Sequence, residues 1–218
     1  MSARTGEAGL TGVIVAAGVS VLLGGALALA VLVFTPVETV AAIPADARPG
    51  SVYVVSGSSD RARGGEWQRK QGEFLRGASV AVNEDELNLA AAKEARPATH
   101  LPGGKPPPAL EAGALNFRIR DGVFQLATPL TINKAGLSET VMFQARGGFV
   151  RSGDAFVFAP DEVYLGACPL HRLPGAAGIA MQQMAAMTRE LPAPVRDAWR
   201  RLADVSVEGE QLQLTAAQ

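Results

Sequence analysis

Chemistry needs nucleophiles, bases or metal ligands brought close together, and this sequence supplies few of them. Its 218 residues hold two histidines, His100 and His171, and one cysteine, Cys168. One cysteine excludes a multi-cysteine zinc site, a haem-attachment motif and a disulfide framework. The histidines stand far apart in the chain, with no cysteine or carboxylate motif beside either. Ser56-Gly-Ser58-Ser59-Asp60 has the look of a serine loop but lacks the G-x-S-x-G elbow that would present a nucleophile. Gly103-Gly104-Lys105 lacks the rest of a phosphate-binding loop. Leu165-Gly-Ala-Cys168 imitates a lipobox, yet it lies far from any segment that could serve as a signal h-region. Cys168 is expected as a small buried residue.

Three consecutive carboxylates remain: Glu84, Asp85 and Glu86. Such a run could do acid–base or metal chemistry. However, it follows Asn83, a good N-cap, and Glu86 stands at the third helical position. Acids in a first turn also favour the helix dipole. Helix-start duty explains all three. The expectation is therefore a protein that is not an enzyme, with no catalytic residue, no metal and no cofactor.

The elements that could position a binding site are clearer. From Leu10 to Phe34 no residue is charged, and about 20 apolar helical residues suffice to cross a bilayer core. A cleaved signal is the rival, but its h-region would be shorter. The chain divides into a cytoplasmic tail (1–9), a transmembrane anchor (10–34), a Pro-containing linker (35–50) and an extracytoplasmic domain (51–218). The expected localisation is single-pass in a plasma or inner membrane, with the C-terminal domain outside. Gly12, Ala16, Ser20, Gly24 and Ala28 recur at every fourth position, a stripe that could let two such helices touch.

Within the domain, Ser51–Val55 suggests a strand, and Glu66–Arg76 a helix with Trp67, Gln71, Phe74 and Leu75 near one face. Val80 and Val82 lead into the helix that starts at Asn83. The stretch 97–108 (PATHLPGGKPPP) is an exposed Pro-rich loop. Leu115–Arg120 alternates apolar and polar residues, Asp121-Gly122 follows, and a second alternating run begins, which is a strong hairpin signal. Further strands are expected around Val141–Phe149, Phe156–Leu165, Val205–Val207 and Leu212–Leu214. Leu173, Ala177, Ala180, Met184, Met187 and Leu191 recur at helical spacing, and a shorter helix carries Trp199. The fold class is α+β: a single transmembrane helix, then a curved antiparallel sheet packed on a long amphipathic helix.

This layout, with Glu86-Leu87-Asn88 at a helix start, Val-Tyr-Leu-Gly-x-x-Pro-Leu from Val163 to Leu170, Leu191-Pro192 and a closing strand pair, resembles the YpmS-like family of membrane-anchored extracytoplasmic bacterial proteins. The likeness spans roughly Ser79 to Thr215. The chain departs from it by the Pro-rich insert, by Cys168-Pro169 and by Pro174. The resemblance implies a curved sheet wrapped on a long helix, similar to tubular lipid-binding domains, and carries no catalytic residue across.

With 20 Lys+Arg against 21 Asp+Glu, the chain has no basic excess to attract nucleic acid. The expected partners are a lipid membrane, a lipid or other apolar ligand cradled along the stripe from Leu173 to Leu191, and a second copy or an envelope complex. Two functional classes follow. One is a ligand-cradling module; the other is a bitopic structural or assembly partner.

Overall fold

The computed structural model describes residues 10–47, 51–94, 109–134, 137–176, 178–179, 182 and 192–217. The chain begins with α1 (Leu10–Phe34), followed by β1 (Glu38–Val40) and β2 (Tyr53–Val55). Then come α2 (Trp67–Leu75), β3 (Val80–Asn83), α3 (Glu84–Glu94), β4 (Leu110–Ala112) and β5 (Asn116–Arg120). Three long strands follow, β6 (Val123–Lys134), β7 (Leu137–Ser152) and β8 (Ala155–Leu165), and a short β9 (Cys168–Pro169). A single 3-10 turn (Leu170–Arg172), α4 (Ala193–Arg200), β10 (Leu202–Glu208) and β11 (Gln211–Ala216) complete the described elements.

Among the described residues strand outweighs helix, 43% against 30%, and the strands form three separate sheets. The expectation of one curved sheet on one long amphipathic helix is corrected by that arrangement. The largest sheet has six strands, with β4 and β5 both pairing β6, and β6, β7, β8 and β9 following as antiparallel neighbours. A second sheet has the order β10-β11-β3. Its third strand comes from far earlier in the chain, so the closing pair is not a free hairpin: Leu212 faces Val82 and Leu214 faces Val80. The third sheet is the parallel pair β1-β2, whose β1 falls in the stretch read as linker. Among the described residues the helices packed on the core are the short α2 and α4, with α3 joining through Leu87. Of the stripe expected to form the long helix, Leu173 lies in a half-buried bend, while Ala177, Ala180, Met184, Met187 and Leu191 lie outside the described residues.

The anchor is corrected too. Among the described residues no helix is long and apolar enough to cross a membrane, so the single-pass localisation is not supported. The side chains of α1 are described from Val19 to Phe34, leaving out Leu22. The end of the helix is seated on the domain: the Ala167 N–H donates to Leu32 O at 2.9 Å. Gly166 beside it has φ 57°, and a Cβ there would lie 2.0 Å from Val33 O. Of the small-residue stripe, Gly12 and Ala16 fall outside the described side chains, Ser20, Gly24 and Ala28 are exposed, and nothing lies within 4 Å of a Cβ built on Gly24.

Local signals account for the turns. Asp121 and Gly122 have φ of 53° and 75°, the paired left-handed conformation that a two-residue hairpin turn requires. That turn fixes the register of β5 on β6, with Arg120 opposite Val123 and Phe117 opposite Leu126. Because side chains alternate across a strand, the register sends Phe117, Phe124 and Leu126 to one face of the large sheet. Arg118, Gln125 and Arg146 go to the other.

Candidate functional site

Phe74, Val80, Val82, Phe124, Leu126, Leu212 and Leu214 belong to one apolar cluster between the large sheet and the β10-β11-β3 sheet, closed at the side by α2 and α4. The two layers do not fill the space between them. A cleft of about 350 Å³ remains, walled almost wholly by aliphatic and aromatic side chains. Protein interiors pack at crystal density with few voids larger than a water molecule, so this space is too large to be a packing flaw. It lies at the low end of the roughly 300–1,000 Å³ of small-molecule pockets.

Aromatic rings make the wall. Phe124 stands 5.2 Å from Phe149 and 5.4 Å from Phe158 between centroids, both edge-to-face. Trp199 of α4 extends the row to Phe149 at 6.2 Å and to Phe74 at 6.4 Å. Its orientation is fixed, because the indole N–H donates to Phe156 O at 2.7 Å. Edge-to-face pairs add about 0.5–1.5 kcal/mol each beyond their burial, so the wall keeps its shape without a filled centre. Trp67, Lys70, Gln71 and Phe74 all line the cleft from α2 at i, i+3, i+4 and i+7, the spacing of one helix face. The Lys70 ammonium is committed to the Glu86 carboxylate, at 2.8 and 2.9 Å from its two oxygens.

The acidic run lies next to this site and holds it together. Asn83 and Glu86 form a reciprocal capping box: the Glu86 N–H donates to Asn83 Oδ1 and the Asn83 N–H to Glu86 Oε2, both at 2.9 Å. All three acids stand in the first turn of α3, as expected; Glu86 closes the capping box, and Glu84 and Asp85 take on further partners. Glu84 accepts from the Ser58 and Ile119 N–H groups at 3.2 and 3.0 Å and pairs with Arg120 at 3.1 Å. Asp85 accepts from the Asp60 N–H at 2.7 Å and pairs with Arg63 at 3.2 Å. Asn88 both donates to Phe117 O and accepts from the Phe117 N–H. These buried side chains strap the 56–65 loop and β5 to α3. The serine loop is thus backbone held by carboxylates, and among the described residues no nucleophile–base pair forms there.

The other candidates resolve in the same way. His171 Nδ1 lies 3.1 Å from Val163 O and its ring meets Tyr164 edge-on at 5.2 Å. Cys168 is buried, and burial pushes its thiol pKa up, which disfavours the reactive thiolate. His100 and Gly103-Gly104-Lys105 lie outside the described residues. Among the described residues no group of three or more His, Cys, Asp or Glu could hold a metal ion. Sequence reasoning placed the ligand-facing stripe on Leu173–Leu191 and missed the cleft. Its one legible trace was the α2 face of Trp67, Gln71 and Phe74.

No family model matches the chain. No curated protein and no solved structure matches it either. The resemblance to the YpmS-like family rests on its short motifs alone.

Proposed function

We propose that this protein is a non-enzymatic binding domain that holds one apolar ligand, a single acyl chain or a compact apolar molecule, in the aromatic-walled cleft. The observation that carries this is the cleft of about 350 Å³ with a rigid apolar wall and an already committed cation at its edge. A site with almost no free polar group selects by shape and by removal of apolar surface from water, at roughly 25 cal/mol per Å². Its volume suits one chain rather than a two-chain lipid.

The chain has two tryptophans, and both line the cleft, so fluorescence reports occupancy directly. Titration of the purified protein with a brominated dodecanoic acid should quench tryptophan emission saturably, and organic extraction followed by mass spectrometry should recover a co-purified apolar compound. No saturable quenching together with an empty extract would overturn the assignment.

A further inference from the structure

We propose that the opposite face of the large sheet carries a second, polar site that binds a small oxyanion between Arg118 and Arg146. The inference does not depend on what occupies the apolar cleft. The antiparallel register sets Arg118 of β5 opposite Gln125 of β6, and Gln125 opposite Arg146 of β7. Strands lie about 4.8 Å apart, so two guanidinium groups flank one amide within a single row. These three side chains, with Arg120, Asp121 and Val123, enclose a pocket of about 160 Å³. That is room for one phosphate- or carboxylate-sized group and too little for a nucleotide.

The three arginines differ in what they already hold. Arg120 is committed, to Glu84 at 3.1 Å and to Glu210. Among the described residues Arg118 takes part in no ion pair. Arg146 is only loosely held, with its Nε buried and without a hydrogen-bond partner, and the Glu162 carboxylate at 3.7 Å, beyond hydrogen-bond reach. Gln125 is buried and anchored by donation to Val55 O at 3.2 Å, which fixes the row against β2. Two residues along β7 on the same face, Gln144 is 1% exposed and neither of its polar side-chain atoms has a partner. Buried polar groups are nearly always satisfied, so this face holds more hydrogen-bonding capacity than the protein consumes. The opposing charges are Asp121 at the rim and Glu162 at the far end of the row. An oxyanion seated between Arg118 and Arg146 would accept from both in the planar geometry that guanidinium groups favour.

The test titrates the full chain with inorganic phosphate, and in a second arm with acetate, by calorimetry against potassium chloride at matched ionic strength. Saturable phosphate binding should weaken about tenfold or more in Arg118→Gln and in Arg146→Gln, and should persist in Arg172→Gln, an exposed arginine elsewhere. Circular dichroism checks that each variant is folded. Because Arg118 has no ion pair to lose, its variant keeps the test valid should Arg146→Gln unfold. Acetate binding as tightly as phosphate would identify the ligand as a carboxylate, and phosphate alone as a phosphoryl group; either supports the site. Heats equal to the chloride control, or equal weakening in all three variants, would overturn it.

Discussion

The apolar cleft and the acid knot beside it are built on opposite principles. The cleft is made of Phe74, Phe124, Phe149, Phe158 and Trp199, which touch one another without a required partner atom and share one hydrogen bond, that of Trp199. In the knot, Glu84, Asp85, Glu86 and Asn88 each have named donors or acceptors, some drawn from the 56–65 loop and from β5, 25 to 36 residues away. Apolar burial is non-directional and scales with area, so a cleft wall can keep its function through several substitutions. A buried carboxylate is stable only when its partners are all in place, so the knot cannot. One region tolerates change of shape; the other tolerates almost none.

That contrast is open to direct attack. The largest effect should come from Glu84→Ala, which removes a buried acceptor and leaves the Ile119 N–H and the Arg120 guanidinium without it. A cost of about 3–5 kcal/mol is expected from breaking a buried pair, read by urea unfolding. A loss near that of a surface substitution would erase the distinction between the regions. Next, Ile119→Ala, at a residue with no exposure, should cost about 2–5 kcal/mol as a new cavity opens. Phe149→Leu, at the wall of a space that already exists, should cost less than about 1.5 kcal/mol while reducing the quenching by the brominated probe. If Phe149→Leu costs as much as Ile119→Ala and probe quenching is unchanged, the cleft behaves as ordinary core. The smallest effect belongs to Asn83→Ala, which removes one half of the capping box. About 1 kcal/mol is expected, and the loss should largely persist in a Glu86→Ala background only if the two halves act independently.

The sequence made the short-range parts of this structure legible. Asn83 and Glu86 bond each other across three residues, and the Asp121-Gly122 turn needs only its own two φ angles. The hairpin of β10 and β11 around Gly209, with φ 59°, is of the same kind. Trp67, Gln71 and Phe74 share a helix face by spacing alone. The site was less visible, because its walls come from α2, β3, α3, β5, β6, β7, β8, α4 and β11. The stripe from Leu173 to Leu191 drew attention because its period is strong, while β3 gave no sign that it would join β11.

What the sequence by itself determined is therefore whatever is written in spacing: caps, turns, strand alternation and the amphipathic face of α2. Each depends on atoms within a few residues of one another, where chain geometry leaves few alternatives. The tertiary structure alone decided the pairing of β3 with β11, the parallel β1-β2 pair, and the spread of three adjacent acids over three separate tasks. It also decided that the pleat of β5, β6 and β7 would place aromatic rings on one face and Arg118, Gln125 and Arg146 in a row on the other. The alternation that separates those faces is encoded in each strand, but which strand lies beside which is settled only by the burial and hydrogen bonding of the assembled layers.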